Sequence, residues 1–271
     1  MADYNLYRGS IFHCIEDGSN VKPVYFQDGL MVVREGKIVE VGEYSELSVR
    51  FSSGDPIVHF KDSLIMPGFI DSHIHYPQYK VISSYGTSLL EWLNKYTFVE
   101  EQKFSDIDYA ARVAELFLDE LLKNGTTTAM TFCTSHKQSV DVFYSAAEKR
   151  NLRMIAGKVM MDRNAPDGLC DDIESSYADS KSLIEKWHNK GRLSYAVTPR
   201  FAPTSTEGQL IQAAKLLKEY PNTKNAKGVL LQTHLNENSD EIAWVKELYP
   251  QSKNYFDVYD NLGLSGTNSV F

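Results

Sequence analysis

After Pro67 the chain alternates five times between a short apolar run of β-forming residues and a longer stretch with helical periodicity. The runs are GFIDSHIH (68–75), TTTAMTFCT (126–134), RMIAGKVMM (153–161), LSYAVTPRF (193–201) and GVLLQTHL (228–235). In the first helical stretch, SDIDYAARVAELFLDELLKNG, the apolar residues Val113, Leu116, Phe117 and Leu121 recur at helical spacing. Ser105 with Asp108 has the form of a capping box, and Gly125 supplies a stop. Strands separated by helices pair in parallel through right-handed crossovers, so the pattern calls for an α/β architecture.

A closed (β/α)8 TIM-type barrel needs eight such units and about 250 residues. Residues 67–271 number 205 and carry five units, with GTNSVF as the opening of a sixth strand. The expectation is a barrel domain over 67–271 with about five to six strand–helix units, truncated at its C-terminal side. A domain that stops as a buried strand begins leaves unpaired backbone groups along an open edge. Residues 1–66 read as a small β-sandwich-like domain of short strands. GLMVVREGKIVEVGEY alternates apolar and polar residues on both sides of Glu35-Gly36, the signature of a hairpin. DPIVHF and SLIMPGF are further strand candidates, and no amphipathic helix is expected before about residue 100.

Apolar residues make up 42% and charged residues 24%, as in ordinary globular proteins. The net charge of -8 argues against a phosphate-binding surface, and so against nucleic acid as a partner. No run of about 18 apolar residues occurs to span a membrane. The start, MADYNLYRGS, lacks the basic and apolar regions of a signal peptide. Cys14, Cys133 and Cys170 are few, odd in number and far apart, which fits a reducing cytoplasm rather than a disulfide framework.

Within MPGFIDSHIHYPQ, His73 and His75 stand at i and i+2 on a strand, and so on one face. They are either metal ligands, flanked by Asp71, or polar side chains on a solvated face. His234, at the end of the fifth strand candidate, is either a rim residue or a third imidazole. The second reading gains weight because the C-terminal strand ends of such barrels form the active face. Glu237, three residues on, is a candidate general acid and base beside a metal, or a carboxylate favoured at a helix N-terminus. Arg200 offers a planar donor fork for a carbonyl or anionic oxygen, or snorkels at a strand end. Phe201 beside it offers an apolar surface for a flat ring. His13, His59 and His188 read as structural, His136 as a candidate near the rim, and Cys133 as a small core residue.

These words together resemble a known family. PGFIDSHIH at the first strand, a β-rich region before it and a later strand-end His form the pattern of the amidohydrolase superfamily. HIHYPQ, LLEWLNKYTF, KNGTTTAMTF, GKVMMDRNAP, VTPRFAPT, THLNEN, DEIAWVKELYP and NYFDVYDNLGL, in that order, resemble its guanine deaminases. The resemblance runs from the N-terminal β region to the last residue. It implies a hydrolase of purine catabolism that converts guanine to xanthine and ammonia, by attack of hydroxide carried on one zinc ion per chain. His73, His75 and His234 match the zinc ligands, and Glu237 matches the glutamate that shuttles protons. Gln78, Arg200 and Phe201 match positions that hold the purine, with His234 at the same place, and Trp92 either lines the pocket or packs in the core. A homodimer is implied for the full-length enzyme.

The family carries a further His after the sixth strand, a zinc-binding Asp at the eighth, and returning strands that complete the β domain. No word here matches them. The expectation is that these 271 residues alone fold poorly and are essentially inactive. Two alternatives stand beside this reading. One is a short, non-catalytic product that persists by associating with another subunit. The other is a deaminase of another aminated heterocycle.

Overall fold

A computed structural model describes residues 4–51 and 56–271 of the chain. The chain divides into two compact units, Met1–Gly68 and Phe69–Phe271.

The first unit is built on a four-stranded sheet of order β3-β2-β1-β4. Strands β1 (Asn5–Asp17), β2 (Asn20–Arg34) and β3 (Lys37–Glu43) form an antiparallel meander, and β4 (Ile57–Ile65) lies parallel to β1. The expected hairpin is present, with Arg34 opposite Lys37. Glu35 and Gly36 both take positive φ, 52° and 73°, as a two-residue turn matched to strand twist requires. Two expectations need correction. The strands β1 and β2 are long, 13 and 15 residues, because a shift in register between Gly9 and Ile11 lets one ladder continue past the irregularity. DPIVHF and SLIMPGF, read as separate strands, contribute to the single strand β4. Its pairing with β1 jumps from Phe60 to Leu64, around Asp62 at φ 56°. Asp55 of the first segment lies outside the described residues. Leu6, Leu30, Val32 and Leu47 form the unit's small core.

The second unit is a curled, parallel half-barrel sheet covered by helices. Its strands are β5 (Phe69–His75), β6 (Thr126–Phe132), β7 (Arg153–Gly157), β8 (Val159–Met160), β9 (Ser194–Pro199), β10 (Leu230–Gln232) and β11 (Ser269–Val270). The order is β11-β10-β9-β7-β6-β5, with β8 pairing β9, and every pairing is parallel. All five strand candidates form, and Ser269 and Val270 of GTNSVF pair with Leu231 and Gln232 as a further strand. The run 153–161 is split at Lys158. Its amide turns to the Tyr195 hydroxyl at 3.2 Å, and its buried ammonium pairs with Asp171.

Between sheet and helices lies a large core that includes Phe117, Leu118, Phe143, Trp187, Tyr195 and Val197. A second cluster contains Leu93, Phe98, Phe132, Val159 and Phe201. Successive strand residues face opposite sides, so Met160 of β8 joins the large core while its neighbour Val159 joins the second cluster. Helix Ile107–Lys123 confirms the first periodic stretch, but its cap is Asp106, whose carboxylate accepts the amides of Asp108 and Tyr109. Ser105 instead donates to the Gln102 carbonyl, closing the preceding turn. Leu116 points outward and is 45% exposed, although Val113, Phe117 and Leu121 are buried. Helical turns also occur earlier than expected, at Leu89–Trp92, Leu93–Thr97 and Phe98–Glu101. They begin under a Ser88 cap, and their short, mixed helical types explain why no 3.6-residue pattern marks them.

β7 and β9 approach so closely at Gly157 that a Cβ there would meet the Ala196 carbonyl oxygen at 1.8 Å and Thr198 Oγ1 at 2.5 Å. Gly157→Ala must push these strands apart, at a cost of about 1–3 kcal/mol of the kind seen for overpacked cores. An unchanged denaturant midpoint for that variant would contradict the packing described.

Candidate functional site

β5 ends in two imidazoles on one face. The Asp71 carboxylate accepts the His73 amide at 3.0 Å, so this acid is engaged with the strand's own backbone. His75 is buried, whereas His73 remains exposed. His234 follows β10 by two residues and is also buried. The three rings gather with centroids 4.8–5.1 Å apart, and Phe132 of β6 lies against all of them. One nitrogen from each ring falls within a span of 4.8 Å, and His75 Nε2 and His234 Nε2 are 3.0 Å apart.

Hydrogen bonding fixes which nitrogen of His234 is free. Its Nδ1 lies 2.7 Å from the Arg200 carbonyl oxygen, which can only accept. The proton therefore sits on Nδ1, and the Nε2 lone pair faces the cluster. Burial lowers the pKa of all three rings: His73 below the ordinary value, His75 well below it, and His234 down to about 3, with the Arg200 charge adding to the last two. At neutral pH the donors are uncharged imidazoles, the form that binds metal. Two nitrogens at 2.0–2.1 Å from a tetrahedral ion lie about 3.3 Å apart, close to the spacing seen. His75 Nδ1 is buried and has no hydrogen-bond partner among the described residues. The donor set fits a divalent cation.

These rings line a cavity of about 560 Å³, within the range of small-molecule sites. Gln78, Arg200, Phe201 and Glu237 line it too, so every residue singled out from the sequence as a ligand, acid–base group or ring contact reaches one place. Trp92 and Leu93 are also in its wall, with the Trp92 indole donating to the Ser84 carbonyl at 3.0 Å. Glu237 is exposed at the mouth. Partial burial of its carboxyl and the neighbouring charge of Glu241 raise its pKa, while Arg200 pulls the other way. Glu241 is buried, accepting the Glu237 amide at 3.1 Å and the Tyr255 hydroxyl at 2.7 Å, and so anchors the loop that carries Glu237.

Arg200 does not snorkel. Its guanidinium is buried, and Nη1 donates to both carboxylate oxygens of Glu101 at 2.8 Å. Glu101 went unnoticed in the sequence, where it is one of two adjacent acids in FVEE. The only available signal was that a buried Arg needs a counter-charge. Gln232, two residues before His234, was also missed; its amide donates to the Thr131 carbonyl and Thr198 Oγ1, both at 3.0 Å.

The remaining histidines have other places. His188 accepts the Tyr195 amide at Nδ1 and donates from Nε2 to the Lys227 carbonyl. His136 precedes helix Lys137–Lys149, outside the three-ring group. His13 and His59 belong to β1 and β4. Cys133 is a buried core residue whose thiol pKa is raised by burial.

Two outcomes follow from this chemistry. His234→Ala should cost more zinc affinity than the roughly 10–100-fold typical of losing an outer partner, whereas Cys133→Ala should leave it unchanged in a chelator competition titration. Metal-free protein should also lose stability as pH falls. The folded rings titrate below 6.5, so the unfolded chain binds more protons there, and stability present above pH 6.5 declines toward about 3. Equal urea midpoints on the two sides of pH 6.5 would contradict the burial of neutral imidazoles.

Residues 64–271 match the amidohydrolase family. The chain is 51% identical to guanine deaminase of Escherichia coli strain K12 over 247 residues, covering 91% of this chain and 55% of that protein. It is 39% identical to a probable guanine deaminase of Deinococcus radiodurans over 98% of this chain and 61% of that one. A solved guanine deaminase from C. acetobutylicum, with guanine bound in its active site, superposes with a TM-score of 0.87 at 34% identity, covering 98% of this chain and 61% of that one. The chain thus spans about 55–61% of the length of these relatives. A match over more than three quarters of the sequence, carried by a half-barrel with three converging imidazoles, makes this chain a member of the amidohydrolase family.

Proposed function

We propose that this site serves the zinc-dependent hydrolytic deamination of guanine to xanthine and ammonia. The observation that carries the reading is the convergence of His73, His75 and His234 beside Glu237 and Arg200 in one cavity. Its relatives' names support the choice of substrate. His73, His75 and His234 would hold the zinc ion, which when bound supplies Lewis acidity that makes water a nucleophile at neutral pH.

The rest falls to the chain's own groups. Guanine presents O6 and N7 as adjacent acceptors, which match the donors of an Arg fork. Arg200 binds that edge, Gln78 adds a second polar contact, and Phe201 packs on the ring. Adenine offers a donor at the position of O6, so it opposes a donor with a donor and is rejected. Water attacks the ring carbon that bears the amino group. Glu237 accepts the water proton and delivers it to the amino nitrogen as the C–N bond breaks, releasing ammonia. Its raised pKa suits a group that must both take and give a proton.

The described sheet has an uncovered flank. β5 pairs with β6 alone among the described strands, and Phe69 and Ile70 are 55% and 75% exposed. This favours a second statement: efficient turnover requires that flank to be covered, by further chain or by another subunit, and the 271 residues alone are weak catalysts.

Xanthine formation by the zinc-loaded chain tests the reading. Guanine should be consumed in preference to adenine, chelation should abolish turnover, and Glu237→Gln should lower kcat by about 10²–10⁴-fold. Adenine turnover exceeding guanine turnover would overturn the substrate, and turnover by the isolated chain equal to that of its longer relatives would overturn the second statement.

A further inference from the structure

The Arg200–Glu101 pair is deeply buried, with side chains 3% and 0% exposed, yet it is not the parallel fork that Arg and carboxylate usually form. Both carboxylate oxygens take one nitrogen, Nη1. Among the described residues no other hydrogen bond reaches the guanidinium, so Nε and Nη2 keep their donors. The Arg200 side chain lines the cavity, and its Cζ lies 5.2 Å from the Phe98 ring centroid. Glu101 thus cancels a positive charge without using up the donors that a ligand would take.

A buried cation with free donors would otherwise attract carboxylates, phosphates and ionised heterocycles. A neutralised one offers directional hydrogen bonds with little net pull on an anion. Glu237 also lies within the field of Arg200, but it stands at the exposed mouth and is not hydrogen-bonded to it. Glu101 is the counter-ion fixed in place.

We propose that Glu101 is a specificity-determining residue that makes the cavity select a neutral, acceptor-bearing ring over an anionic one. The inference rests on the purine reading above. It bears on product release, because xanthine ionises near neutral pH while guanine stays neutral. The xanthine anion would find no uncompensated cation at Arg200 to hold it.

The test is equilibrium binding of xanthine and hypoxanthine to the zinc-loaded chain, from mildly acidic to mildly alkaline pH. Hypoxanthine remains neutral across this range and serves as reference, while zinc content is followed throughout. For the unaltered chain, xanthine affinity relative to hypoxanthine should fall about tenfold per pH unit above the ionisation of xanthine, as for a site that takes only the neutral form. In Glu101→Gln the decline should vanish, with the xanthine anion gaining at least about tenfold on hypoxanthine and zinc content unchanged. A role confined to packing would weaken both ligands together and leave the pH trend alone, and that result overturns the proposal. Should the variant fail to fold, the unaltered chain decides: a xanthine-to-hypoxanthine ratio that does not change with pH also overturns it. If the unaltered chain binds neither guanine nor hypoxanthine, the purine reading itself fails and the inference falls with it.

Discussion

The hydrogen bond from His234 Nδ1 to the Arg200 carbonyl, at 2.7 Å, is the joint on which the site depends. Through its backbone, residue 200 sets the tautomer of His234 and turns a lone pair toward His75. Through its side chain it faces the cavity under the hold of Glu101. One strand end therefore connects the prospective metal centre to the surface that would meet a planar ring. The Tyr259 hydroxyl reinforces the joint, donating to the His234 carbonyl at 3.0 Å while lying 2.8 Å from the Ala202 amide. Both carriers, the ends of β9 and β10, are thereby tied to one buried phenol.

This arrangement is expensive to assemble. It buries an Arg, a Glu and two imidazoles beside an apolar cluster that contains Phe98, Phe132, Val159 and Phe201. Burial keeps the imidazoles neutral, which is the state a cation needs, and makes every hydrogen bond in the wall count for more than it would in water. The parallel sheet makes such burial possible, because side chains from successive strand ends converge without loops having to fold inward.

Much of this was legible in the sequence, for identifiable reasons. The alternation of strand and helix patterns follows from burial periodicity, and all five strand candidates form within two or three residues of their expected ends. The His73–His75 pair was legible because a period of two fixes the face. His234, Arg200 and Phe201 were legible because they follow directly on strands whose order is set by the chain, and Glu237 because it stands three residues beyond His234. What stayed hidden depends on long-range contact. Glu101 meets Arg200 across 99 positions of sequence, from helical turns too short to show periodicity. Asp106 displaced Ser105 as a cap because a carboxylate one residue later reaches two amides at once. Leu116 was misplaced because a helical stripe includes positions at its margin that the tertiary packing leaves in solvent.

On the reading proposed above, His73, His75 and His234 would hold one zinc ion at the mouth of this half-barrel. X-ray absorption at the zinc edge, on the chain loaded with one equivalent of metal, tests it directly. The account predicts a first shell of nitrogen and oxygen at about 2.0–2.1 Å, with the outer scattering of three imidazole rings. A sulfur shell at about 2.3 Å, pointing to Cys133 or Cys170, or a shell without imidazole scattering, would contradict it.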